Sequence, residues 1–196
     1  AAAGGNRLSL GMQSASPQEL RFLGRRHSPA DVERTVRDAR RAGIGNLSLD
    51  LMLALPGQTA QSVARSAVVC RELGVEHVSA YLLKIEPGTP FAGRELALPD
   101  GDEAADLYLA AAQALDGLGY RQYEISNFAR PGRESRHNLK YWDLRPYLGI
   151  GPAAHSLLSG RRFAYPRDLR AFLDGAPPQA EESGDRSARP GKEAAV

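Results

Sequence analysis

The chain has 196 residues and a mass of 21.1 kDa, enough for one well-filled core, and its 42% hydrophobic and 24% charged residues are ordinary for a globular protein. A net charge of +2 with both signs interspersed leaves no nucleic-acid footprint, although arginine-rich usage lifts the pI to 8.8. The single cysteine, Cys70, excludes an internal disulfide and any cluster held by several thiolates of this chain alone, and it fits a reducing cytoplasm.

The start, "AAAGGNRLSL", has no basic stretch followed by an apolar one and does not read as a signal peptide. The longest apolar runs are strand-sized, far short of the roughly 20 residues of a transmembrane segment. "NRLSLGMQ" predicts a first strand, closed by Gln13. A unit then repeats, in which an amphipathic helix ends at a glycine and leads at once into a strand: "RRAGIGNLSLDLM", "RELGVEHVSAYLL" and "DGLGYRQYEIS". In the first unit Ser28 is the N-cap, Pro29 the first helical residue, Val32, Val36 and Ala39 the inner face and Gly43 the left-handed exit. In the second, Thr59 caps a helix whose inner face is Val63, Ala67, Cys70 and Leu73, ending at Gly74. Cys70 is a core residue on this reading, because nothing electropositive surrounds it to activate a thiol. The third helix, from near Asp102 to Leu118, buries Leu107, Ala111, Ala114 and Leu118.

Strands separated by helices of this length are βαβ crossovers, which make a parallel sheet. "NLSLDLMLAL" and "HVSAYLLKI" are nearly continuous apolar runs and predict a sheet covered on both faces. Four such strands are expected, with a fifth at "YLGIGPAAH". A closed eight-stranded barrel needs about 250 residues, so the fold class is α/β with about half a barrel or an open sheet. From Asp174 onward apolar periodicity is lost, which predicts a disordered tail.

In parallel α/β folds ligands collect beyond the carboxyl ends of the strands. Gln13 closes the first strand there, and Arg25 lies on the connection that follows it. Asp50 sits inside an apolar strand, where a carboxylate is costly unless paired or bonded to a ligand. Glu86 in "IEPGTPF" and Glu124 in "YEISNF" end later strands and either line the same mouth or cap a turn.

The run from Tyr120 to Ser156 interleaves Tyr120, Tyr123, Phe128, Tyr141, Trp142 and Tyr147 with basic residues. Such a set stacks on single-stranded nucleic acid or holds a porphyrin, whose ring takes aromatic contact and whose propionates take arginine or lysine. If residues 137–142 are helical, His137 and Tyr141 stand one turn apart on one face, and His137 offers an imidazole nitrogen to haem iron. His155, after the Gly/Pro-rich "GIGPA", is the alternative ligand. His27 and His77 carry no functional signal.

The motifs "NRLSLGMQS", "LDLMLALPGQT", "IEPGTPF", "YEISNFARPG", "HNLKYW" and "YLGIGPAAHS", occurring together and in order, closely resemble the HemW family of haem chaperones. That family belongs to the radical S-adenosylmethionine (SAM) superfamily and is related to HemN, the oxygen-independent coproporphyrinogen III oxidase. The resemblance covers roughly Asn6 to Leu173. It implies the C-terminal portion of a partial (βα) TIM-type radical SAM barrel over residues 6–126, a haem-motif segment over 127–173 and the tail over 174–196.

The resemblance further implies SAM and a [4Fe-4S] cluster as cofactors, with the cluster held in the family by a CxxxCxxC loop that this sequence does not contain. The chain thus reads as a fragment, incapable alone of radical chemistry. Gln13, Arg25 and Asp50 map onto SAM-contacting positions. His137, Asn138, Tyr141 and Trp142 map onto the HNxxYW motif associated with haem, with His137 the iron ligand. The implied function is haem binding for delivery to respiratory proteins in the cytoplasm, with peripheral membrane association left open. The alternative is a coproporphyrinogen III dehydrogenase-like enzyme of porphyrin biosynthesis. The sequence departs from the family at Leu53 and Ala54, where tyrosine and glycine are usual, and at Ala153, where glycine is common. An added methyl at a close backbone approach narrows a SAM or haem pocket.

Overall fold

The computed structural model describes residues 4–180. The chain divides into two compact units, one up to Glu134 and one from Ser135.

The first unit begins with β1 (Leu8–Gln13), followed by a short helix α1 (Pro17–Phe22) that Ser16 caps through its side chain. Helix α2 (Pro29–Arg41) starts at a reciprocal capping box between Ser28 and Asp31 and leads into β2 (Leu47–Leu53). Helix α3 (Ala60–Glu72) has the same device, with Thr59 and Ser62, and precedes β3 (His77–Leu82). Helix α4 (Gly101–Gly117) is boxed by Asp100 and Glu103. All three long helices leave through a left-handed glycine, Gly43, Gly74 and Gly119, at φ of 84°, 67° and 85°. These are the exits expected from the sequence.

Strands β1, β2 and β3 are parallel and in register, Leu10 facing Leu49 and Leu49 facing Val78. The expected fourth parallel strand is replaced by a hairpin. The chain after α4 forms only the two-residue β4 (Arg121–Gln122), then turns into β5 (Asn127–Ala129), and β5 lies antiparallel against β3. The sheet order is β1-β2-β3-β5-β4. The reason is burial: Tyr120 is fully buried with its hydroxyl donating to Val75 O at 2.9 Å, which ends the strand-like run early, and Phe128 then supplies the apolar side chain that covers β3.

Side chains alternate across this sheet. Met12, Leu47, Leu49, Leu51, Leu53, Val78 and Phe128 point to one face and form a single core with Val32 and Val36 of α2, Val63, Ala67 and Cys70 of α3, and Leu107, Ala111 and Leu115 of α4. On α4 the deep residue is Leu115, whereas Ala114 and Leu118 are half-buried. The sheet is therefore not apolar on both faces, as the unbroken runs suggested. Its other face carries Ser9, Ser48, Asp50, His77 and Ser79, the residues opposite the helix-covered leucines and valines.

The second unit contains α5 (Arg136–Trp142), an antiparallel sheet of β6 (His155–Leu158), β7 (Arg161–Ala164) and β8 (Gln179–Ala180), and a short helix α6 (Leu169–Leu173). "YLGIGPAAH" is not a strand. Tyr147 exchanges backbone hydrogen bonds with Leu157, both at 2.9 Å, and the chain then bends through Gly149, Gly151 and Ala153 before β6 begins. Gly149 admits no side chain there, since a Cβ would stand 2.2 Å from the His155 carbonyl oxygen. Of the tail expected from Asp174, Gln179 and Ala180 pair with β7, and residues 181–196 lie outside the described residues. Asn127–Ala129, assigned by the sequence to the segment after the barrel, belong to the main sheet.

Candidate functional site

In the first unit the polar face of the sheet gathers at Asp50. Its Oδ1 accepts from Ser9 Oγ on β1 at 3.0 Å, and Ser79 on β3 also bonds its carboxylate. Burial pushes the Asp50 carboxyl above the usual range, and the hydrogen bonds from Ser9 and Ser79 act against it. A carboxylate held between two hydroxyls on a half-buried sheet keeps free acceptor sites for hydroxyls or an amino group.

Gln13 lies at the carboxyl end of the neighbouring strand. It is buried, at 8% exposure, and takes a left-handed backbone at φ 66°, where the β1–β2 register slips between Gly11 and Gln13. Its side chain folds back over Gly11, so that a Cβ at Gly11 would stand 2.4 Å from Gln13 Nε2. The structure thus brings Gln13 and Asp50 onto adjacent strands. Arg25 is exposed on the α1–α2 connection, and among the described residues no hydrogen bond joins it to either.

Sequence reasoning missed the support beneath this rim. Glu19 on α1 is a buried carboxylate that accepts from Ser14 Oγ at 2.6 Å and from Gln58 Nε2 at 2.9 Å. Gln58 also donates to Met52 O at 3.1 Å and accepts from Leu55 N at 3.4 Å. Together they tie the end of β1 to the loop after β2. The signals were present in Gly11, an isolated glycine in a strand that marks a close approach, and in the polar Gln58 between a glycine and a cap. Glu86 is exposed and pairs with Lys84 at 2.9 Å, while Glu124 accepts from Ser126 N at 3.1 Å and from the Asn127 amide, capping the β4–β5 turn. A cleft of about 400 Å³ opens beside Gln58 at the starts of α3 and α4, lined by Leu55, Thr59, Leu98, Asp106 and Leu107.

Two further residues are structural. Cys70 is fully buried and its thiol is pushed up to about 12 by desolvation, so it is inert as a ligand. His77 bonds Ser48 Oγ through Nδ1 and Tyr123 OH through Nε2, both at 2.8 Å, and desolvation followed by the charge of Arg7 pushes its imidazole down to about 3. An iron-sulfur cluster needs several thiolates, and this chain supplies one, locked in its core, so its residues do not fit that group. They do fit the polar parts of SAM, through the amide of Gln13 and the carboxylate of Asp50.

In the second unit α5 presents the aromatic cluster. His137 Nε2 lies 2.7 Å from Tyr141 OH, one helical turn away, with the rings edge-on at 5.1 Å. Tyr141 in turn meets Tyr147 edge-on at 4.6 Å. Trp142 is 51% exposed, and Leu144, Leu148 and Ile150 are exposed after it. Asn138 packs at the helix start, its backbone N–H bonded to the cap Ser135. Arg136 and Lys140 are exposed on α5, and Arg145 pairs with Asp143 at 3.0 Å. His155 is exposed at the start of β6, paired through its backbone register with Ala164. Both alanines that replace family glycines are left-handed, Ala54 at φ 60° and Ala153 at φ 58°.

The sequence model of the radical SAM superfamily matches residues 1–68, which span β1, β2 and the start of α3. The fold agrees: the coproporphyrinogen III oxidase HemN of Escherichia coli, a radical SAM enzyme, superimposes with a TM-score of 0.75 at 22% identity, covering 91% of this chain and 45% of that one. Residues 1–68 thus carry the radical SAM match, and by sequence the chain is a relative of the HemW haem chaperones. It is 41% identical over 182 residues to the heme chaperone HemW of Mycobacterium tuberculosis, covering 89% of this chain and 47% of that protein. The Escherichia coli HemW is 40% identical over 178 residues, covering 88% and 47%. The mitochondrial radical S-adenosyl methionine domain-containing protein 1 of Mus musculus is 44% identical over 158 residues, covering 79% and 36%. The chain spans about half the length of the curated bacterial relatives it matches. Among the described residues no helix is long and apolar enough to cross a membrane.

Proposed function

We propose that this chain handles haem, as the haem-binding portion of a chaperone that delivers haem to respiratory acceptors in the cytoplasm, with no role for nucleic acid. The observation that carries the reading is the α5 cluster: an imidazole and a phenol one turn apart, with an exposed tryptophan beside them and cations on the same short helix. That is the chemistry a flat apolar ring with iron at its centre and carboxylates at its edge requires. His137 supplies the imidazole, Asn138 orients it or a propionate through its amide, and Tyr141 and Trp142 contact the ring. His155 is the alternative imidazole.

The rim of the first unit is assigned to SAM, with Gln13 and Asp50 as contacts and Arg25 swinging in from solvent. The first unit, up to Glu134, carries that role, and the second, from Ser135, the haem role. A coproporphyrinogen III dehydrogenase-like reaction is the lesser reading, favoured by the fold likeness alone, since it requires a cluster that this chain's residues do not fit.

The test is titration with ferrous haem, followed by the Soret band, in wild type, His137→Ala and His155→Ala. Loss of binding in His137→Ala with retention in His155→Ala is the expected result. The reverse pattern moves the ligand to His155, and no binding by wild type refutes the haem reading.

A further inference from the structure

The His137–Tyr141 contact places two iron-binding atoms of different chemistry at the same point. Nε2 of His137 and the hydroxyl oxygen of Tyr141 are 2.7 Å apart on an exposed helix face. An iron arriving beside α5 meets both, but Nε2 cannot accept the Tyr141 proton and ligate iron at once. We propose, resting on the haem reading above, that the two residues form a ligand pair selected by the oxidation state of the iron: Tyr141 binds ferric haem as phenolate, and His137 binds ferrous haem.

The ferric step follows from charge. Fe(III) haem carries a net positive charge at the metal and favours an anionic oxygen, and tyrosinate is an established axial ligand of haem iron. As the oxygen–iron bond forms and a water leaves the iron, the phenolic O–H bond breaks and its proton passes to Nε2 of His137, which already accepts the hydrogen bond when Nδ1 carries the ring proton. The imidazolium stays beside the phenolate oxygen as its hydrogen-bond donor.

A one-electron donor then removes the metal's net charge. The oxygen–iron bond breaks, the phenolate takes back the proton from Nε2, and the freed imidazole nitrogen, a neutral donor, binds Fe(II). The ring has only a short way to shift, because the two donor atoms lie 2.7 Å apart. Tyr147, packed edge-on against Tyr141 at 4.6 Å, holds the phenol ring in place through the exchange. A carrier built in this way holds ferric and ferrous haem through different bonds and so ties its grip on the cargo to the redox state of the donor and acceptor.

The test titrates the 196-residue chain with ferric haem, and with ferrous haem under dithionite, in wild type, Tyr141→Phe and His137→Ala. Resonance Raman and electron paramagnetic resonance spectra are read alongside the Soret band. In wild type the ferric complex should be high-spin with phenolate-enhanced Raman bands. Tyr141→Phe, which keeps the ring and its packing, should abolish those bands and weaken ferric binding by about tenfold or more while leaving ferrous binding within about twofold. His137→Ala should weaken ferrous binding by about tenfold or more and affect ferric binding less. A wild-type ferric spectrum with an imidazole signature, unchanged in Tyr141→Phe, overturns the ligand pair and leaves the haem reading standing. No Soret change with wild type in either oxidation state sinks both.

Discussion

The carboxamide of Gln13 occupies the space that a side chain on Gly11 would need: an added Cβ would lie 2.4 Å from Nε2. Gly11 is thus the seat on which the amide of Gln13 rests, two residues before it on the same strand. The obstacle is the far end of a flexible side chain, so Gly11→Ala should be tolerated by the fold, with a stability change below about 1 kcal/mol. The amide would be pushed off its seat over Gly11, the residue that pairs with Asp50 on the neighbouring strand. This chain alone, with no thiolate set for a cluster, should bind SAM more weakly than about micromolar, and Gly11→Ala should weaken it by roughly a further tenfold, ~1.4 kcal/mol. Ligand-observed NMR titration together with a urea melt checks both. Equal affinities would remove Gln13 from the site.

Ala54 and Ala153 both hold left-handed backbone, at φ 60° and 58°. A Cβ in that conformation is strained by about 1–2 kcal/mol, and glycine escapes the strain at a smaller cost in chain entropy. Ala54→Gly and Ala153→Gly should therefore each stabilise the protein, by about 0.5–1 kcal/mol. The two are separable by probe. Trp142, the only tryptophan, reports on the second unit by fluorescence, and circular dichroism of the long helices reports on the first. A lower urea midpoint in either variant would show that the alanine methyl makes a contact worth more than the strain.

The legible part of this molecule was the part governed by local rules. Ser28, Thr59 and the three exit glycines announced the helices to within a residue or two, because capping and left-handed exits depend only on neighbours in sequence. The hairpin at β4–β5 was not legible, since "YRQYEIS" has the composition of a strand and only the burial of Tyr120 and Phe128 decides where pairing stops. The apolar runs misled for a related reason. Serines and Asp50 alternate with leucines in "LSLDLML", a period-two signal that the high leucine content masked. Spacing puts His137 and Tyr141 on one face, but their hydrogen bond, which changes what each can do to iron, depends on the rotamers that packing against Tyr147 selects.

His77 makes the stability of the first unit depend on pH. Its ordinary imidazole value is 6.5, and burial with the nearby charge of Arg7 pushes the folded state down to about 3. Between those values the unfolded chain binds a proton that the folded chain does not, so the stabilisation is fully present above about pH 6.5 and falls as pH falls toward 3. The slope for one proton is about 1.4 kcal/mol per pH unit, or roughly 2 kcal/mol lost between pH 6.5 and 5. His77→Gln cannot titrate and should show a correspondingly shallower dependence, though it is less stable at pH 7 for want of the full pair of bonds to Ser48 and Tyr123. Identical pH slopes in urea unfolding of the two proteins would show that His77 protonates freely in the fold.

Glu19 is the residue whose removal should reach furthest from its own position. Its buried carboxylate accepts from Ser14 beside Gln13 and from Gln58, and Gln58 holds Met52 O and Leu55 N on either side of the strained Ala54. Hydrogen bonds to a charged group contribute about 1.5–3 kcal/mol each, and a buried donor left without its acceptor adds its own desolvation cost. Glu19→Ala should thus destabilise by about 2–4 kcal/mol, with Glu19→Gln losing less because one carbonyl acceptor remains. Because Glu19 and Gln58 act through one network, the double variant Glu19→Ala, Gln58→Ala should cost less than the sum of the singles, with a coupling of about 1–2 kcal/mol. Strict additivity in urea denaturation would mean that the end of β1 and the loop after β2 are held independently, and that Glu19 does not set the spacing between Gln13 and the residues that follow Asp50.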